Sequence, residues 1–219
     1  MRTDAQICAD VTEELLWTPC VDATDIAVKV TEGVVTLTGF VKSFDERCGA
    51  ERAVKRISGV RALANDLEVR LQADDSRTDP EIARAAAVAL EHDLPRSAHL
   101  VGIVVEKGRV TLEGVVDWQY QKERAEQAIR ALRGITGVTN LLYVKGGARP
   151  VASDIKLKIA GALKRSAEID AARINVQING NEVTLTGKVH SWSEHEAAAE
   201  TAWSAPGVTA VKNHICVGP

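Results

Sequence analysis

Three stretches decide the fold: Val35-Thr36-Leu37-Thr38-Gly39, Val110-Thr111-Leu112-Glu113-Gly114 and Val183-Thr184-Leu185-Thr186-Gly187. They are one phrase written three times, at offsets of 75 and then 73 residues. The same offsets align Ile7, Ile82 and Ile155 upstream, and then Leu15, Leu90 and Leu163. Downstream they align Gly59, Gly134 and Gly207, and then Asn65, Asn140 and Asn213. The chain therefore divides into three units, 4–69, 79–144 and 152–217, joined by the polar or glycine-rich connectors 70–78 and 145–151. Such short units lie close to the lower size at which a domain folds alone, so contacts between neighbours are expected to help.

Within each unit the apolar period changes twice. Ile7, Val11 and Leu15 recur at steps of four, as do Ile82, Ala86 and Leu90, and Ile155, Ile159 and Leu163. That spacing predicts a helix with one apolar face. Asp4, Asp79 with Pro80, and Ser153 stand where N-terminal signals belong. Alternation at period two follows, broken by the pairs Glu32-Gly33, Lys107-Gly108 and Gly180-Asn181, which reads as a β-hairpin. Thr36 and Thr38 fall on the face opposite Val35 and Leu37, as in a sheet with one wet side.

Gly39, Gly114 and Gly187 inside a strand imply a bulge or a close approach by the packed helix. Ser43-x-x-Glu46 and Ser191-x-x-Glu194 read as capping boxes opening a second helix; Trp118-x-x-Gln121 requires a different cap. Gly59, Gly134 and Gly207 follow that helix, where a left-handed residue is favoured. A third strand through Leu67, Leu142 and Ile215 closes the unit by a βαβ crossover. The fold class is α+β: three tandem α-β-β-α-β units, each with a three-stranded sheet and two helices on one face.

Unit one carries Gly33-Val34-Val35-Thr36-Leu37-Thr38-Gly39-Phe40-Val41, Ile57-Ser58-Gly59-Val60 and Ala64-Asn65-Asp66-Leu67-Glu68-Val69 at fixed spacing. This set resembles the BON domain (bacterial OsmY and nodulation), and the resemblance covers all three units. It implies a non-enzymatic protein associated with osmotic or envelope stress, in a family several of whose members are thought to bind phospholipid. It implies no cofactor and transfers no ligand-binding residue.

Hydrophobic residues make up 45% of the chain and charged residues 26%, with a net charge of −3. No strongly basic surface is indicated, so a nucleic-acid partner is not expected. No apolar run reaches a membrane span of ~18 residues. The N-terminus lacks the apolar stretch of a secretory signal, so the expected compartment is the cytoplasm, with the periplasm as alternative if a leader was removed. Cys8, Cys20, Cys48 and Cys216 occupy four different repeat positions; free thiols fit better than a repeated disulfide framework, with a Cys8–Cys20 pair as alternative.

Binding candidates are few. Lys156, Lys158, Lys164 and Arg165 lie on the first helix of unit three beside its apolar face, a pattern suited to anionic phospholipid headgroups or equally to a solvated helix surface. Trp118 and Trp192, with Phe44, follow the second strand of their units; they either meet a membrane or partner protein, or staple the second helix to the core. Trp17 and Trp203 have no counterparts in the other units, and Trp17 is expected to be exposed. His190, Glu194 and His195 are the only clustered metal-type ligands, and their spacing is not that of a zinc helix, so no metal is expected. Asp22, Asp25 and Glu32 motivate an alternative, a small-ligand or cation sensor working through clefts between units. Asn65, Asn140 and Asn213 are read as local ties to nearby backbone. No residue set reads as catalytic.

Overall fold

The computed structural model describes residues 2–145, 152–165, 173–205 and 207–218, the side chains of 152–154 and 164 excepted. Unit one runs α1 (Asp4–Trp17), β1 (Ile26–Thr31), β2 (Val34–Val41), α2 (Phe44–Arg56) and β3 (Ala62–Val69). Unit two repeats this as α3 (Asp79–Asp93), β4 (Val101–Glu106), β5 (Arg109–Val116), α4 (Gln119–Arg130) and a third strand broken into β6 (Gly137–Asn140) and β7 (Tyr143–Val144). Unit three has α5 (Ala152–Arg165), β8 (Ile174–Asn179), β9 (Glu182–Val189), α6 (Trp192–Trp203) and β10 (Ala210–Val217). In every unit the middle strand is the one carrying the repeated phrase. It pairs antiparallel with the strand before it and parallel with the strand after the crossover helix.

The apolar periods bury as their spacing dictates. Ile7, Val11 and Leu15 of α1 pack with Val35, Leu37 and Val41 of β2 and with Ala50, Ala53 and Val54 of α2. The sister cores are built from the equivalent positions. At ~25 cal/mol per Å² of apolar area removed from water, these clusters supply the main term favouring each unit.

The strand glycine has a different cause from the one expected. At Gly39, Gly114 and Gly187, φ is +124°, +128° and +142°. A Cβ there would lie 1.9, 2.1 and 2.0 Å from the carbonyl oxygens of Asp25, Leu100 and Arg173. The crowding group is thus the backbone entering the neighbouring strand, not the helix, and the antiparallel register passes the glycine without a bulge.

The helix starts also depart from expectation. Thr3 and Thr78, not Asp4 and Asp79, occupy the N-cap positions of α1 and α3. Asp4 instead reaches across to the hairpin turn, where its carboxylate accepts from the amides of Glu32 (2.7 Å) and Gly33 (2.9 Å). Asp79 does the same with Lys107 (2.8 Å) and Gly108 (2.9 Å). The side chain of Ser153 lies outside the described residues.

At the second helices, Ser43 and Ser191 cap the amides of Glu46 and Glu194 as expected. The returning carboxylates go one residue earlier than a capping box requires: Glu46 accepts from Lys42 and Asp22, and Glu194 from His190. In unit two the Gln121 carboxamide oxygen takes the amides of Asp117 and Trp118, and its nitrogen donates to Ser97.

The three units close on one another through their second helices. Phe44, at the start of α2, enters the core of unit two with Cys48 and Val69 beside it. Trp192, at the start of α6, packs against the core of unit one. Lys55 of α2 donates to Glu196 of α6 at 2.5 Å, across 141 residues of sequence. Unit two also has an outer sheet face with Val104, Val115, Leu141 and Tyr143 exposed. The equivalent positions of unit one hold Lys29, Phe40, Asp66 and Glu68.

Candidate functional site

The predicted basic helix is present. Lys156, Lys158 and Arg165 are exposed on α5, while the side chain of Lys164 lies outside the described residues. Between the two lysines sits Leu157, 74% exposed, on a helix whose Ile155, Ile159 and Leu163 are buried.

The tryptophans do not form one patch. Trp17 stands 76% exposed at the end of α1 beside the equally exposed Leu16, in unit one. Its surroundings are Asp10, Glu13 and Glu14 together with Arg2 and Arg56, which pair with Asp10 and Glu14, a mixed charge unlike that of α5. Trp192 is half-buried and packs against the core of unit one, so it serves the joint between units three and one. Its ring meets His195 edge-on at 5.0 Å between centroids. Trp118 is partly exposed at the joint between units two and three.

A polar chamber of about 290 Å³ lies where the three second helices meet. Its walls are Cys48, Glu51, Arg52 and Lys55 from α2, Glu123, Glu126, Gln127 and Arg130 from α4, and Glu196 and Glu200 from α6. Repeat-equivalent positions face one another across it, at the steps of three and four that share a helix face.

Lys55 bridges Glu51 (2.9 Å) and Glu196. Burial opposes the charge of Lys55, but hydrogen bonds to Glu196 and Glu51 outweigh it and hold the ammonium above its ordinary range. Burial also opposes the charge of Glu51, yet the Lys55 and Asn65 bonds prevail and its pKa is lowered. Arg130 pairs with Glu126. The Cys48 thiol is pushed up, chiefly by burial, and is a poor nucleophile.

The recurrent asparagines do more than bond locally. Each side-chain oxygen accepts from the amide two residues on, at Leu67, Leu142 and Ile215. Each amide nitrogen also ties the third strand to the second helix: Asn65 to Glu51, Asn140 to Lys122 and Glu126, Asn213 to His195. Their sequence signal was the recurrence itself. The chamber also left a signal, the shared Glu51-x-x-x-Lys55 and Glu126-x-x-x-Arg130.

The metal-type cluster disperses. His190 Nε2 bonds Arg173 at 3.0 Å, Glu194 is spent on backbone, and His195 lies against Trp192. Among the described residues, no group of three or more His, Cys, Asp or Glu is placed to hold a metal ion. Asp22 is bound to Lys42 at 2.6 Å, a hydrogen bond that lowers its pKa well below the carboxylate range. Glu32 sits at the far end of β1, roughly 20 Å from Asp25 at strand rise, so the three acids do not converge. All four cysteines are free. Among the described residues, no helix is long and apolar enough to cross a membrane.

The family model for the BON domain matches three times, over residues 3–70, 78–146 and 152–219. The chain is a member of the BON domain family. Among curated relatives of this BON protein is osmotically-inducible protein Y of Escherichia coli (strain K12). It is 35% identical over 163 residues, 71% of this chain and 73% of the relative. Two solved structures of CdsD, a structural protein of the type III secretion system of Chlamydia trachomatis, also align. One covers 100% of both chains at 15% identity and a TM-score of 0.28. The other covers 94% of this chain and 90% of its own at 15% identity and a TM-score of 0.27.

Proposed function

We propose that this BON-repeat protein is a non-catalytic binding or scaffold module linked to osmotic or envelope stress, and that it docks on anionic phospholipid through α5. The observation that carries the lipid reading is Leu157, exposed between Lys156 and Lys158 on a helix ending in Arg165. The stress link draws support from the 35%-identical relative, an osmotically-inducible protein. Each cation near an anionic surface is worth about 1 kcal/mol. Replacing Lys156, Lys158, Lys164 and Arg165 by Ala is therefore expected to cost about 4 kcal/mol, near a thousandfold in partitioning. Co-sedimentation with anionic and neutral vesicles across a salt series tests this. Salt-sensitive binding to anionic vesicles, lost in the quadruple variant, supports the proposal. Absence of binding to both vesicle types at low salt overturns it.

The polar chamber and the neighbouring joint favour a second reading, a small-ligand or cation sensor working through the clefts between units. Ligand binding to the native state raises its melting temperature. A shift with K⁺, Ca²⁺, Mg²⁺ or a small organic ion supports it, and a melting temperature indifferent to all of them counts against it.

A further inference from the structure

The three joints between units are not equivalent. Repeat alignment places Phe44, Gln119 and Trp192 at the first position of α2, α4 and α6. Phe44 fills the joint between units one and two, and Trp192 fills that between three and one. At the remaining joint the residue is Gln119, whose carboxamide turns to Glu123 Oε1 at 3.0 Å and plugs nothing. What remains is a cleft of about 340 Å³ between the start of α4 and the end of α6. Three aromatic side chains line it, Trp118 and Tyr120 from unit two and Trp203 from unit three. Two carboxylates, Glu123 and Glu200, line it as well, and no Lys or Arg does among the described residues.

We infer that this cleft binds a quaternary ammonium group. Aromatic faces attract a cation through the ring quadrupole, and a trimethylammonium head gains from them because it is weakly hydrated and offers no hydrogen-bond donor to satisfy. Glu123, whose described side-chain partner is the neutral Gln119, sets the sign of the charge the cleft accepts. Its volume suits a small head group. Trp118 and Tyr120 are 42% and 55% exposed, so the ligand enters from solvent. Trp203 is half-buried against the core of unit three, which fixes one wall. The inference rests on the second reading above and gives one cleft its ligand class; it does not involve α5. The same head group arises from a free solute or from a phosphocholine lipid.

The test is calorimetric titration of the full chain with choline, with tetramethylammonium and with 3,3-dimethylbutan-1-ol, the uncharged isostere of choline. Titration with phosphatidylcholine vesicles forms a second arm. The expected result is saturable binding of both cations, at least tenfold tighter than the alcohol. Saturation by free choline assigns a solute, and saturation by the vesicles alone assigns the lipid; both support a quaternary ammonium site. Trp118→Ala and Tyr120→Ala, both at exposed positions, are each expected to lose at least tenfold with an unchanged melting temperature. Glu123→Gln keeps an acceptor for Gln119 and is expected to narrow the preference over the alcohol. Gln119→Phe is expected to abolish binding, by closing this joint as Phe44 closes its own. Equal affinity for the alcohol, no saturable binding in either arm, or binding unchanged in Trp118→Ala and Gln119→Phe overturns the proposal. A melting shift with K⁺ or Mg²⁺ alongside a silent choline titration would sink this inference and leave the second reading standing.

Discussion

Gly39 shows how a single side chain's absence holds a register. With φ at +124° and a backbone oxygen 1.9 Å from any added Cβ, Gly39→Ala combines backbone strain with a clash that no rotamer relieves. A loss of at least about 3 kcal/mol is expected, a large part of the 5–15 kcal/mol typical of a domain. Urea denaturation should show it as a lower midpoint, with similar losses for Gly114→Ala and Gly187→Ala. His195 gives a residue-scale pH dependence. Burial, chiefly, pushes its pKa below the ordinary 6.5, with Lys55 adding and Glu196 opposing. The folded state then binds fewer protons than the unfolded state. Its contribution is complete above pH 6.5 and is lost as pH falls through that value toward the folded pKa. Melting temperature followed from pH 8 to 5 should fall more steeply in the wild type than in His195→Phe.

Between elements, the joints decide which units are coupled. Trp192→Ala is expected to cost about 2–3 kcal/mol, below the 3–5 kcal/mol of a fully buried tryptophan because the ring is only half-buried. Hydrogen exchange should then quicken in unit one as well as in α6, since Trp192 packs against the core of unit one. Lys55→Gln should cost less, about 1 kcal/mol, because both partner carboxylates keep part of their contact with solvent and Gln still offers a donor.

The sequence was informative about elements wherever one face repeats at a fixed period. Ile7, Val11 and Leu15, or Val35 and Leu37, announce their burial by spacing alone. The joints were not legible that way. Phe44, Gln119 and Trp192 share a position but not a residue type, and a lone aromatic after a strand looks the same whether it staples its own helix or its neighbour's. Asp4 was misread for a related reason: beside a helix start it suggests a cap, and only the folded hairpin turn brings the amides of Glu32 and Gly33 to its carboxylate. The basic helix was visible in Lys156 and Lys158, but the exposure of Leu157 between them was not.

At the scale of the whole molecule, closure of unit three on unit one makes a compact ring of helices out of what the repeat alone describes as beads on a string. A compact chain of this length has a radius of gyration of about 17 Å. X-ray scattering should return a value near it for the wild type and a larger one for Trp192→Ala. The closure also imposes an order in time. The patch on unit one that Trp192 covers is synthesised long before its cover, with the 141 residues between Lys55 and Glu196 still to be made. At translation rates of about 5–20 residues per second, unit one waits roughly 7–28 s on the ribosome with that patch bare. Each nascent chain thus passes through an interval in which it is open to chaperones, and a message truncated before unit three would make that interval permanent.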